Sequence, residues 1–327
     1  MNASSSCDSP ASTLFADRPI RKRGALLDEL VLHAQALPPV RTGVVHPCDA
    51  PSLEGALAAA ERKLIVPTLI GPRGKIEAVA EAAGLSLAGV EIVDAPYSHA
   101  AATTAVEMVR RGRLQGVMKG SLHTDELMRA VVHEGAGLRT ERRVSHVFVI
   151  DTPGYHKLLL VTDAAINIAP SLDDKRDIVR NAIDLAHAIG VARPKVAILS
   201  AVETVEGKIP TTIEAAALCK MADRGQIVGA DLDGPLAFDN AISRQAAEQK
   251  NIRSTVAGDP DILVAPDLEA GNILAKELVF LAGADTAGLV LGARVPIVLT
   301  SRADNVASRV ASCALAQLFA HRARALA

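Results

Sequence analysis

Ser301 and Arg302 are the residues whose types and placing point most directly to chemistry. An apolar run, residues 295–299, stops at Thr300-Ser301-Arg302, and a helical pattern begins near Asp304. A strand that delivers a hydroxyl and a guanidinium to a helix start is an anion site, because helix N-terminal amides and Arg both favour phosphate-like oxygens. A second junction of this kind is Lys119-Gly120-Ser121, followed by His123-Thr124-Asp125-Glu126 and then Arg129 on a helical pattern. Two further junctions carry polar groups: Asp163 with Asn167, and Asp267 with Asn272. Each also has a plain reading. Thr124 or Asp125 would cap a helix, Asp163 and Asn167 would hold Asx turns, and Asp267 would be an N-cap. A loop and helix start from Asp231 to Asp239 adds three carboxylates.

Other chemistries find less support. His123, His133 and Glu134 do not share one helical turn, and no HExxH occurs, so no metal site is expected. Gly71-Pro72-Arg73-Gly74-Lys75 lacks the spacer and the Ser/Thr of a P-loop, and it is not GxGxxG. It reads as a structural strand-to-helix turn.

These junctions need elements to carry them. From residue 25 short apolar runs alternate with helical patterns. Strands are expected at 42–46, 64–70, 90–93 and 116–118, with helices between them. Residues 145–150 and 157–161 read as an antiparallel pair across the turn Thr152-Pro153-Gly154. Alternation then resumes, with strands at 196–199, 227–231, 262–264, 288–291 and 297–299. Helices are expected at 173–189, 211–224, 238–249, 268–282 and 305–324. Such alternation predicts an α/β fold, doubly wound, with helices on both faces of a parallel sheet. A sheet of that kind presents its ligands at the carboxyl edge, so the polar junctions are expected to share one edge. The pattern changes near residues 141–143, which marks a domain break.

Composition excludes several function classes. Of 327 residues 49% are hydrophobic, enough for a large core, and the net charge is −2. Trp is absent, with two Tyr and five Phe, so neither a base-stacking surface nor a polyanion-binding face is expected, and no nucleic-acid partner. The four cysteines are scattered, which suits free thiols in a reducing compartment. No apolar run approaches the ~20 residues of a membrane span. Residues 1–24 read as a mobile tail without the apolar core of a secretory signal. A cytoplasmic protein with no membrane association is expected.

Taken together, GVMKGSLHTDELMR, VTDAAINIAP, GPLAFDNAIS, DILVAPDLEAGNILAKEL and PIVLTSRADN resemble the phosphate acetyltransferase/phosphate butyryltransferase family in order and spacing. The resemblance covers residues 24–318. It implies a two-domain fold like that of isocitrate and isopropylmalate dehydrogenases, with the active site in the interdomain cleft. Residues 25–143 plus 288–327 would form the first domain and 144–287 the second. It also implies a homodimer. The reaction implied is acyl-CoA plus phosphate giving acyl phosphate plus CoA, acetyl first and butyryl second, with CoA a substrate and no cofactor.

By the same resemblance Arg302 binds phosphate or acyl phosphate, Ser301 hydrogen-bonds the reacting group, and Arg129 engages CoA. Lys119, Ser121, His123, Asp163, Asn167, Asp267 and Asn272 are the further candidates for holding CoA or phosphate. Two departures stand out. The Asp seven residues after the motif Ser, the proposed thiol base, is Ser308 here, so Asp304 is the expected substitute. The Arg of some members in the helix after the first strand is absent, with Pro51-Ser52 in its place. Two other readings compete: a decarboxylating NAD-dependent dehydrogenase of the same fold, and a CoA-binding regulator without turnover.

Overall fold

The computed structural model describes residues 22–300 and 304–326. The chain starts with α1 (Ala25–Gln35), β1 (Val40–Val45), α2 (Ala50–Glu61), β2 (Ile65–Gly71), α3 (Arg73–Ala82), β3 (Glu91–Asp94), α4 (Ser98–Arg110), β4 (Gly116–Lys119) and α5 (Thr124–Val131). The middle holds β5 (Ser145–Asp151), β6 (Leu159–Thr162), α6 (Leu172–Ala188), β7 (Lys195–Leu199) and α7 (Pro210–Asp223). Then follow β8 (Asp231–Leu236), α8 (Phe238–Ile242), α9 (Arg244–Gln249), β9 (Ile262–Val264), α10 (Leu268–Phe280), β10 (Asp285–Leu291), β11 (Ile297–Val298) and α11 (Val306–Leu326).

Local chemistry explains most boundaries. Asp49 accepts the Ser52 N–H at 3.0 Å, with Pro51 in the first turn of α2. Ser171 and Asp174 cap α6 reciprocally. Two expectations fail. The strand expected at 227–231 begins only at Asp231, because the chain first turns through Gly229 at φ 85°. The Asp231–Asp239 segment is therefore a strand in place of the expected loop, followed by the expected helix start at Phe238. Asp231 and Asp233 lie in β8 at the sheet edge, where half-exposed carboxylates are tolerated, and Asp231 pairs with Arg193. The helix expected at 238–249 is two helices. Ser243 is extended and its side chain accepts the Ala246 N–H, which starts α9.

All strands join one sheet in the order β3-β2-β1-β4-β11-β10-β5-β6-β9-β7-β8. The first five are parallel, and so are the last four. Between the two sets the pairs β11–β10, β10–β5 and β5–β6 are all antiparallel. Three reversals leave β6 running opposite to β4. The junctions therefore do not share one carboxyl edge, as the alternation alone suggested. One rung, Met118–Val298–Leu289–Val147–Thr162, crosses the centre. The chain leaves it one way at Lys119 and the other way at Asp163.

The two faces are covered differently. One carries a continuous core in which Leu53, Val179 and Leu315 of the helices meet that whole row from Met118 to Val147. The other carries two separate cores. Val45, Val117, Ile297 and Val290 pack under α4 and α5. Ile150, Val161 and Leu199 pack under α8 to α10. Alternation along the strands puts Lys119, Gly288, His146 and Phe148 on this second face. His146 lies where the two helix groups part. It is fully buried, and neither ring nitrogen has a hydrogen-bond partner of normal geometry among the described residues. The Leu299 carbonyl faces the ring and compensates only partly, so burial pushes the His146 pKa down to about 4.

The neutral ring is favoured in the fold, whereas a histidine in the unfolded chain titrates near 6.5. Stability from this group is complete above pH 6.5 and is lost as pH falls towards 4. Replacing His146→Phe is expected to remove up to roughly 3 kcal/mol of acid sensitivity over that window. Urea unfolding of both proteins at pH 7, 5.5 and 4.5 measures it. Parallel pH profiles would show that His146 contributes nothing.

Candidate active site

Two strand-to-helix turns are tied together at the carboxyl ends of β1 and β4. Gly120 N–H donates to the Val45 carbonyl at 2.9 Å, and Ser121 N–H to the His46 carbonyl at 2.9 Å. This approach requires glycine: a Cβ at position 120 would lie 2.4 Å from the Val45 oxygen and 2.6 Å from the His46 oxygen. The Ser121 hydroxyl donates to the same His46 carbonyl at 2.8 Å and accepts the Cys48 N–H at 3.3 Å. His46 Nδ1 stands 3.1 Å from that hydroxyl. Lys119 is buried, and its Nζ donates to the Gly120 carbonyl at 3.2 Å.

His123 precedes α5 and occupies the N-cap position, so neither Thr124 nor Asp125 is the cap. Glu126 accepts the His123 N–H at 3.2 Å, takes the Ser98 hydroxyl and faces His99 at 3.3 Å. It thereby holds α5 against α4. Arg129 is exposed on α5, beside the buried Met128.

β11 runs parallel to β4, so the chain leaves it on the side of the sheet where the Lys119–Ser121 turn lies. Thr300 is buried and accepts a hydrogen bond from Arg309 at 2.7 Å. Ser301 and Arg302 lie outside the described residues. Asp304 is half-buried and already engaged in an interaction. It does not cap α11. Asn305 does, accepting the Ser308 N–H at 2.8 Å.

The second polar group lies across the sheet centre from the first. Asp163 is buried and accepts the N–H groups of Ala165, Ile166 and Asn167 at 2.9, 3.1 and 3.2 Å. Burial pushes its pKa up, and these N–H groups oppose the shift. Asn167 donates to the Val144 carbonyl and accepts from Arg143. Asn272 donates to the Ala164 carbonyl at 3.0 Å, and Asp267 caps α10 through the Ala270 N–H at 2.8 Å. No hydrogen bond among the described residues joins these four to Lys119, Ser121 or His123. The link is apolar: Ile166 packs on the core that contains Leu122, Leu127 and Met128.

Sequence reasoning passed over His46 and Lys75. His46 directly follows β1 with φ 54°, a left-handed conformation uncommon for non-glycine residues. Burial lowers its pKa below the usual imidazole range, and the nearby Lys75 charge adds to that. The readable signal was a histidine immediately after an apolar strand. Lys75, within GPRGK, was set aside as part of a structural turn.

Residues 97–317 match the family described as phosphate acetyl/butaryl transferase. The chain belongs to that family. It is 63% identical to the phosphate acetyltransferase of Rhizobium meliloti over 91% of this chain and 94% of the relative. It is 40% identical to the phosphate butyryltransferase of Clostridium acetobutylicum, over 90% of this chain and 97% of the relative. Among solved structures, a branched-chain phosphotransacylase from Enterococcus faecalis V583 superposes with a TM-score of 0.75 at 29% identity, covering 86% of this chain and 99% of that one.

Gly120→Ala is expected to force the two turns apart, because only backbone atoms stand in the way of the methyl group. Activity should fall at least tenfold and the denaturation midpoint should drop, the overpacking cost being about 1–3 kcal/mol. An alanine variant with unchanged stability and rate would show that the turns are not locked.

Proposed function

We propose that this protein transfers an acetyl group reversibly between CoA and inorganic phosphate. The observation that carries the reading is the 63% identity with a phosphate acetyltransferase across nearly the whole of both chains. The butyryltransferase relative, at 40%, leaves butyryl transfer as the second choice. Chain length is decided by pocket volume, where one methylene is worth only about 1–3 kcal/mol.

The edge formed by β1, β4 and β11 suits this chemistry. Both substrates are anionic, so fixed cations must bring them together. In this reading Arg302 binds the phosphate together with Lys119, and Ser301 donates to the oxyanion of the tetrahedral intermediate. Arg129 engages a CoA phosphate as a fixed cation. Ser121 and His123 line the turn between them. Asp304 handles the thiol proton, a reading supported by Asn305 having taken the capping role. Asp163, Asn167, Asp267 and Asn272 act by holding the flanking loop against α5. CoA is a substrate, and no cofactor is invoked.

A homodimer fits the exposed apolar side chains Ile273, Phe280 and Leu281 on and just after α10. The thiols of Cys48, Cys219 and Cys313 are free, which suits a reducing, cytoplasmic setting. No helix among the described residues is long and apolar enough to cross a membrane.

A thiol-release assay with acetyl-CoA, with and without phosphate, tests the activity. Phosphate-dependent release is expected, faster with acetyl-CoA than with butyryl-CoA. Phosphate-independent hydrolysis, or no release with either thioester, would reject the reading. Arg302→Ala is expected to lower kcat/KM about 10²–10³-fold with an unchanged far-UV circular dichroism spectrum.

A further inference from the structure

We infer that Arg309 is a positioning residue of this reaction: it holds Thr300 and, through it, the start of the segment that carries Ser301 and Arg302. The inference rests on the phosphate acyltransferase reading above and adds a group to it.

The first observation is where the charge sits. Arg309 is only 4% exposed, in the first turn of α11. Taking a guanidinium out of water is costly. The N-terminal end of a helix is also its positive end, which disfavours a cation there. An apolar chain of similar length would fill the same space without either penalty. Neither core packing nor helix stability therefore explains an arginine at this position. Its specific contact does: Nη1 donates to the Thr300 hydroxyl at 2.7 Å, and Thr300 is itself buried.

The path of the side chain is fixed along its length. Gly55 of α2 makes room for it, since a Cβ at position 55 would lie 2.5 Å from Cδ of Arg309 and 3.0 Å from its Cβ. The stem thus lies close against α2. Its base is equally fixed. Val310, Ala311, Cys313 and Ala314 are buried. The Ser312 hydroxyl accepts the Gly288 N–H of β10 at 2.9 Å and donates to the Ser308 carbonyl at 2.8 Å. The start of α11 is tied to the sheet before it offers its guanidinium, and a rigid element positions a group better than a loop does.

Thr300 needs such a partner. β11 is two residues long, and its pairing with β4 and β10 ends at Val298. Thr300 lies two residues beyond that ladder. On the other side, Asn305 caps α11. The chain from 301 to 304 therefore runs between Thr300 and the helix cap, and Arg309, the fourth residue of α11, ties those two ends together. A misplacement of about 1 Å in groups that orient substrate can cost 10²-fold in rate. A bond that fixes one end of such a segment acts on kcat. In the same reading CoA is engaged by Arg129 from α5, a separate element, so CoA binding does not depend on this bond.

Arg309→Met tests the role. Met keeps an apolar stem beside Gly55 and loses the donor. Exchanging a buried charge for an apolar chain is often neutral or stabilising, so the urea midpoint should equal or exceed that of the wild type. At saturating phosphate and acetyl-CoA, acetyl phosphate formation is expected to fall about 100-fold, with the KM for acetyl-CoA changed less than about threefold. Thr300→Val removes the acceptor at similar size and should lower kcat at least about tenfold. The double variant should be no slower than the slower single one, because both changes remove the same bond. A wild-type kcat in Arg309→Met overturns the proposal, and so do losses that multiply in the double variant. If Arg309→Met fails to fold, Thr300→Val decides: a wild-type kcat there overturns the proposal, and the tenfold loss with an unchanged KM for acetyl-CoA supports it. Absence of phosphate-dependent release in the wild type would instead reject the reading of function.

Discussion

The two antiparallel ladders of β10 constrain everything else in this molecule. One joins it to β11, at the end of the first parallel set, and the other to β5. The central row from Met118 through Val298 and Leu289 to Val147 is wholly buried on the continuous face. That shared core makes the two parallel sets parts of one sheet. The reversal of strand direction also splits the helices on the opposite face into two groups, each feeding its own parallel set. The polar turns flank the band between those groups. A fully parallel sheet would have placed all of them on one edge.

Electrostatics acts within that geometry. The chain as a whole is close to neutral, yet Lys75 of α3 acts on His46 at the end of β1, and Lys119 lies buried at the end of the neighbouring β4. A cation tied to the backbone, as Lys119 is to the Gly120 carbonyl, can attract an anion without the entropy cost of recruiting a mobile side chain. The ties are short-range and specific. Gly120 lets two backbones touch, Ser121 bridges them, and Glu126 fixes the helix that carries Arg129. Across the sheet, Asp163 spends its carboxylate on its own loop, and Asn167 ties that loop to Arg143 and Val144. Ile166 presses that loop onto α5 and couples the two halves by packing rather than by charge.

Much of the fold was legible in the residue pattern, because burial writes its period into the chain. The apolar runs gave β1, β4, β5, β6 and β9 to within a few residues, and the turn at Pro153-Gly154 correctly announced an antiparallel pair. The failures have physical causes. Ile227 looks like a strand residue because it is buried, but Gly229 turns the chain before β8 can begin. Residues 238–249 keep a helical composition, and only the extended Ser243 shows the break. Asp304 could not be told from a cap until Asn305 was seen in that role. His46 carried no motif. Its meaning lies in a hydroxyl 75 positions away, which no local window contains.

The sequence by itself determined the family, the α/β class and the junctions that carry polar groups, because side-chain identity and hydrophobic period are local properties. Tertiary structure decided which junctions meet. Strand direction across β11, β10, β5 and β6 is set by long-range pairing, and it sent Lys119 and Asp163 out of the same row in opposite directions. It also decided the surroundings of His46, because only the three-dimensional approach of two turns brings its Nδ1 to 3.1 Å from the Ser121 hydroxyl.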